Sequence, residues 1–157
     1  MTTLSIGQPV PDFQAQSTGG KTINLSDFKG RKLALYFYPK DHTPGCTQEG
    51  MAFRDNFSQF QALNTEILGV SRDSLKMHES FKAKQGFPFD LLADPDEALC
   101  ELFAVIKMKN MYGKQVRGIE RSTFVIDEAG VLIKEWRKVQ VKNHITEVLA
   151  FLQAGGA

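Results

Sequence analysis

Cysteine is scarce in this 157-residue chain, with Cys46 and Cys100 the only two. Two cysteines do not make the disulfide framework of a small secreted domain, so any thiol chemistry is expected to be catalytic rather than structural. No run of about 18 apolar residues appears, and no membrane-spanning helix is expected. The first 25 residues lack a basic segment followed by a continuous apolar run, so no secretory leader is expected and the chain reads as cytoplasmic. Neither sign of charge dominates: 19 Lys+Arg against 18 Asp+Glu leave a net charge of +1, which speaks against nucleic-acid binding. There is no glycine-rich phosphate loop and no dinucleotide fingerprint, so no organic cofactor is implied. His42, His78 and His144 do not combine with the cysteines at zinc spacing, and no metal is expected. His42 reads as a loop residue and His78 and His144 as surface residues on helices.

What is present suits one α/β domain over residues 1–157. Apolar residues make up 42% and charged residues 24%, and such a chain can bury roughly 70% of its unfolded surface. Residues 13–25 read as two short strands around Gly19-Gly20, and Ser26 to Gly30 as one helical turn capped by Ser26. Lys32 to Tyr38 (KLALYFY) is a buried central strand. After a Pro/Gly loop the apolar period becomes helical: Phe53, Phe57 and Phe60 predict a helix from Cys46 to about Leu63. Further strands are expected at Glu66–Ser71 and Asp90–Ala93, with helices from an Asp73 cap to about Gln85 and over Asp96–Phe103. Ile106 to Glu120 reads as irregular. Ser122–Asp127 and Val131–Trp136 flank a Glu128-Ala129-Gly130 turn, and a helix over Val141–Leu152 closes the chain. Strands alternating with helices predict parallel crossovers first and an antiparallel hairpin last.

Charge is uneven within this neutral total. Lys107 to Lys142 holds nine Lys/Arg and four Asp/Glu. A solvated basic face is the plain reading; a field that favours a thiolate is the functional one, and it requires the segment to fold back on a reactive cysteine.

Chemistry is expected where the central strand meets the first long helix. Ligand-handling groups in open α/β sheets lie beyond the carboxyl ends of the strands. A helix N-terminus offers unpaired N–H groups and the positive end of the macrodipole, which favour a thiolate over a thiol. Cys46 falls there, with the Thr43 hydroxyl three residues before it, within reach of the sulfur or a bound oxygen. On context alone, an inert buried cysteine remains an equal reading. The string Tyr36-Phe37-Tyr38-Pro39-Lys40-x-x-Thr43-Pro44-Gly45-Cys46-Thr47-x-Glu49 resembles the active-site signature of the peroxiredoxins, and among them the bacterioferritin-comigratory (PrxQ) subfamily. Leu91-Leu92-Ala93-Asp94 followed by Cys100, Gly113-Lys114 with Gly118, and Arg121-Ser122-Thr123-Phe124-Val125-Ile126-Asp127 extend the resemblance over the whole chain.

The resemblance implies a thioredoxin-like fold, with a central mixed sheet between helices and an added N-terminal β-hairpin. It implies that Cys46 attacks a hydroperoxide to give a sulfenic acid, which a second thiol must reduce. Thr43 would hydrogen-bond the peroxide, and Arg121 would hold the thiolate and polarise the O–O bond. Pro39 would shield the site, and Glu49 would orient arginine. Read without the family, Arg121 is also a hairpin-edge charge and Thr43 a turn or cap residue. Thioredoxin, glutaredoxin or glutathione is the implied reductant, and a monomer or weak dimer the implied assembly, without nucleic-acid or membrane partners.

Two departures stand out. Many subfamily members carry a resolving cysteine five residues after the first; here Met51 stands there. Others carry it roughly 35 residues on, where Ser80-Phe81-Lys82-Ala83-Lys84 has none. Cys100, among Leu99, Leu102 and Phe103, reads as a buried structural residue rather than a resolver, so a one-cysteine mechanism is expected. A peroxide sensor or thiol relay would use the same Cys46. Met108, Met111 and Tyr112, apolar residues in a basic segment, are candidates for a substrate entrance or docking patch.

Overall fold

Strand β3 (Lys32–Phe37) is buried along almost its whole length because it lies inside the sheet and is covered on both faces. A computed structural model describes residues 4–155. Successive side chains of β3 point to opposite faces. Leu33, Leu35 and Phe37 join one core cluster, while Ala34, Tyr36 and Tyr38 join the other. Parallel neighbours β4 (Thr65–Ser71) and β5 (Asp90–Ala93) pair in the order β3-β4-β5. Antiparallel β8 (Ser122–Ile126) and β9 (Leu132–Trp136) extend the other side, and the β1 (Gln14–Ser17) and β2 (Lys21–Asn24) hairpin adds to β5. The seven strands run β2-β1-β5-β4-β3-β8-β9.

The connecting helices are α1 (Pro44–Asp55), α2 (Phe57–Ala62), α3 (Leu75–Gln85), α4 (Ala98–Leu102) and α5 (His144–Gln153). None among the described residues is long and apolar enough to cross a membrane.

Several expectations need correction. The long helix from Cys46 breaks at Asn56, whose side-chain amide donates to the Ala52 carbonyl at 2.8 Å and competes with the backbone ladder. Ser74, not Asp73, caps α3 by accepting from the Met77 N–H at 3.2 Å. The turn at Leu25–Phe28 is a 3₁₀ segment entered from Asn24 rather than Ser26, with Asp27 accepting from the Asn24 N–H at 2.8 Å. The closing helix starts at His144, three residues later than expected, and α4 covers only the middle of Asp96–Phe103. Residues 106–120 are not irregular: β6 (Ile106–Met111) and β7 (Lys114–Ile119) form a separate two-stranded hairpin turning at Tyr112-Gly113, both at positive φ. Both faces of its outer half meet solvent, so it lacks the apolar alternation that reveals a half-buried strand. His78 and His144 are buried, not on the surface.

Candidate active site

Antiparallel register brings the two halves of the site together. Phe37 at the end of β3 pairs with Ser122 at the start of β8, so Arg121 sits beside the chain as it leaves β3 toward α1. The intervening loop is fastened from inside. Asp41 accepts from Tyr38 Oη at 2.6 Å, and its other oxygen lies 2.6 Å from His78 Nδ1. His78 Nε2 donates to the Leu92 carbonyl at 2.8 Å, since a carbonyl can only accept. The Asp41 N–H donates to Asp73 at 2.8 Å, which explains why Asp73 is not the α3 cap. Helix α1 then begins with Pro44, pre-set for a first helical position. Thr47 N–H closes the first helical bond onto the Thr43 carbonyl at 2.8 Å. The N–H groups of Gly45 and Cys46 therefore fall within the first turn, without intrahelical acceptors.

Cys46 is a free thiol, 2% exposed. One guanidinium bridges it to a carboxylate: Arg121 Nη2 donates to Cys46 Sγ at 3.4 Å, and Arg121 Nη1 to Glu49 Oε1 at 2.6 Å. Burial works against the arginine charge, but Glu49 and Cys46 outweigh it and hold the guanidinium's pKa above its ordinary value. Burial pushes the Glu49 carboxyl up to about 7, with Arg121 pulling the other way. Glu49 Oε2 and the Tyr36 hydroxyl are buried without a hydrogen-bond partner. Burial, then the nearby charges of Glu49 and Cys46, raise the Tyr36 pKa well above the ordinary phenol value. Gly45 keeps space for the bridge: a Cβ there would lie 3.2 Å from Arg121 Nη2.

The structure thus brings Cys46, Glu49 and Arg121 together, with Thr43 and Pro39 on the loop before them. The Thr43 hydroxyl donates to the Lys40 carbonyl at 2.7 Å, so its proton is committed there, not to the sulfur, and its lone pairs are free to accept. Pro39, Arg121 and Met108 line an open cavity of about 520 Å³, shared with Lys107, Lys109 and the 138–140 segment. Met111 and Tyr112 do not line it; they lie at the far end of β6, with Tyr112 100% exposed at the hairpin turn. The three residues do not form one entrance. A smaller hollow of about 250 Å³, bounded by Val10, Leu25 and Phe28, lies near Leu33 at the opposite end of β3 and holds no cysteine.

Cys100 lies on the other side of the sheet. It packs in the cluster of Leu33, Leu35 and Phe37, whereas Cys46 packs with Ala34, Tyr36 and Tyr38. Its N–H donates to Asp94 at 2.8 Å, and burial together with that carboxylate raises its pKa far above the ordinary thiol value.

A model of the AhpC/TSA family matches residues 6–135. Peroxiredoxin Bcp of Bacillus subtilis is 52% identical over 151 residues, covering 96% of each chain. Peroxiredoxin Bcp of Xanthomonas campestris is 53% identical over 143 residues, covering 91% of this chain and 89% of the relative. The chain belongs to the AhpC/TSA family of peroxiredoxins, in its Bcp (PrxQ) group. A solved peroxiredoxin Q from Xanthomonas campestris superposes with a TM-score of 0.90 at 49% identity, over 99% of this chain and 100% of the other. A PrxQ variant from Xylella fastidiosa reaches 0.93 at 44% identity, with both chains fully covered. Another solved structure concerns the alkyl peroxide reduction activity of the Xanthomonas bacterioferritin comigratory protein. This peroxiredoxin has the thioredoxin-like α/β fold expected of the group and is a thiol-dependent peroxidase.

The motif could not reveal the lysines beside Arg121. Lys107, Lys109 and Lys138 line the cavity with Arg121 and one carboxylate, Glu120, and the uneven charge of residues 107–142 was their only signal. Burial, then Arg121, lowers the Lys109 pKa, and its ammonium donates to the Ile119 carbonyl.

Proposed function

We propose that this peroxiredoxin reduces hydrogen peroxide and organic hydroperoxides by a one-cysteine mechanism. The Cys46 thiolate attacks the terminal oxygen of R–O–OH. The S–O bond forms as the O–O bond breaks, giving Cys46–SOH and an alkoxide that takes up a proton to leave as water or alcohol. Negative charge moves from sulfur to the leaving oxygen. Arg121 lies against the sulfur where that transfer begins, and the free N–H groups of the first turn of α1 add fixed dipoles. Thr43, with its proton held by Lys40, accepts from the peroxide O–H and orients it. Glu49 fixes the plane of the guanidinium, and Pro39 covers one side of the pocket.

The observation that carries this reading is the Cys46–Arg121–Glu49 bridge. The single-cysteine part rests on the placement of Cys100 across the sheet, because a disulfide needs Cα atoms within roughly 7 Å. An external thiol then regenerates the enzyme: glutathione, glutaredoxin or thioredoxin. Intact mass measurement after one equivalent of peroxide tests both parts. A gain of one oxygen, absent from Cys46→Ser, supports the mechanism. A loss of two hydrogens within one chain, trapped as a Cys46–Cys100 disulfide, overturns the one-cysteine step.

A further inference from the structure

We infer that the cleft bounded by Trp136 and residues 138–143 binds the carboxylates of a small thiol and so serves as the reductant subsite of this peroxidase. The inference rests on the one-cysteine reading above. A second cavity of about 520 Å³ shares Lys138, Val139 and Gln140 with the cavity beside Arg121 but is not lined by Arg121 itself. Its volume is in the range of small-molecule sites. One wall is the Trp136 ring, and Lys138 and Lys142 stand at the rim.

The two unpaired lysines point to an anion, against a single exposed carboxylate. Lys138 and Lys142 form no ion pair among the described residues, whereas the one other cation lining the cleft, Arg137, is engaged by Glu135 at 2.8 Å and by the Phe103 and Ala104 carbonyls. Glu147 is the one carboxylate lining the cleft, and it is exposed. Burial, then Arg121, lowers the pKa of His144 to about 4, so this wall residue adds no charge at neutral pH.

The backbone of the segment is also specially held. Lys138 and Asn143 take left-handed conformations, at φ 52° and 67°. A left-handed conformation is unfavourable for a lysine, a strain of the kind concentrated at ligand clamps. The Val139 N–H donates to the Arg121 carbonyl at 2.9 Å, which ties the wall of this cleft to the residue against Cys46.

The geometry favours a thiol over a hydroperoxide as the source of the carboxylate. The cleft is separated from the site by a chain segment, so its ligand must carry carboxylates several bonds from the reacting atom. Glutathione has two such groups. It also supplies what the chain lacks: Cys46–SOH and RSH give Cys46–S–S–R and water, and a second RSH returns the Cys46 thiol with release of RSSR.

Trp136 is the only tryptophan, so the protein's tryptophan emission arises at the wall of the cleft. Reduced protein is titrated with S-methylglutathione, which cannot react, and with its diethyl ester, which lacks both carboxylates. The expected result is saturable, salt-sensitive binding of the acid, with the ester at least about tenfold weaker. Lys142→Glu and Lys138→Glu, each confirmed folded by circular dichroism, should remove the preference for the acid. Lys142→Gln should leave an intermediate preference. Equal affinity for acid and ester, or a preference that survives both charge reversals, overturns the subsite. Oxidation of Cys46 by a carboxylated and by a neutral hydroperoxide is compared in the same variants. A charge-reversal effect confined to the carboxylated hydroperoxide overturns the thiol assignment. Failure of the peroxidase reading would show separately, as no sulfenic acid at Cys46 with any peroxide.

Discussion

Cys46 and Cys100 are both buried free thiols in one sheet-centred fold, and burial alone treats them alike. Their neighbours differ in the sign of charge. Cys46 stands in the first turn of α1 against Arg121; Cys100 stands against the Asp94 carboxylate. A carboxylate beside a buried thiol adds to the cost of its ionisation, whereas a guanidinium and free helix N–H groups oppose that cost. The Arg121 charge is in turn anchored by Glu49, at the middle of the same helix. On the proposed mechanism, one core holds an inert cysteine and a nucleophile on opposite faces of the same strand.

Removing the cation should do most to erase that difference. Arg121→Gln is expected to lower the rate of Cys46 oxidation by about 10²–10³-fold, the size seen when one preorganised donor to a developing charge is lost. Stopped-flow oxidation by hydrogen peroxide measures it. A change smaller than about threefold would mean that the helix N-terminus, rather than the guanidinium, separates the two thiols.

The carboxylate behind the arginine gives the next largest effect, on stability. Glu49 is raised from the usual 4.5 to about 7 by burial. Unfolded chains release this proton near pH 4.5 while the fold keeps it to about 7, so stability falls as pH rises through that interval and levels off above it. Glu49→Gln has no proton to lose. The wild type minus variant difference should decline between pH 5 and 8 by on the order of 3 kcal/mol at most. Urea unfolding at the two pH values checks it, and a flat difference would place the ionised Glu49 at no disadvantage in the fold.

Cys100 should be silent in the chemistry and audible in stability. Cys100→Ala removes a sulfur from the packed cluster with Leu99 and Phe103, at a cost of about 1–2 kcal/mol. The rate of Cys46 oxidation and its reduction by an external thiol should stay within about twofold of the wild type, since the two thiols pack in separate clusters and share no partner. Loss of turnover would make Cys100 a resolver after all.

Much of this contrast was legible in the sequence, for reasons that differ by residue. Lys32–Tyr38 is a run of apolar and β-prone residues ended by Pro39, and beyond the Pro/Gly loop the helical spacing of Phe53, Phe57 and Phe60 marks the helix that Cys46 opens. Those signals are local, so strand β3 and the Cys46 position emerged without any tertiary information. Arg121 is 75 residues from Cys46, and only the pairing of Phe37 with Ser122 brings them together. No local pattern encodes that pairing; the family motif supplied it. The motif was silent on His78 and His144, polar residues on helices that the sequence alone reads as exposed. Their burial depends on the partners Asp41 and Leu92 for one and Thr123 for the other, all more than a dozen residues away. Hairpin β6–β7 escaped for the opposite reason, because its outer half buries too little to leave a pattern.

That hairpin supplies the smallest predicted effect and a check on where the reactive face ends. Met108 is on the cavity beside Arg121, while Tyr112 is fully exposed at the turn. Met108→Ala removes an apolar wall, and the KM for a bulky organic hydroperoxide should rise about two- to fivefold, consistent with roughly 1 kcal/mol of lost contact, with little change for hydrogen peroxide. Tyr112→Ala should move neither KM, since a side chain already in water gives up no buried area. Steady-state assays with the two peroxides distinguish the positions. Equal effects from both substitutions would extend the substrate surface along the whole arm and weaken the claim that reactivity is confined to the neighbourhood of the guanidinium.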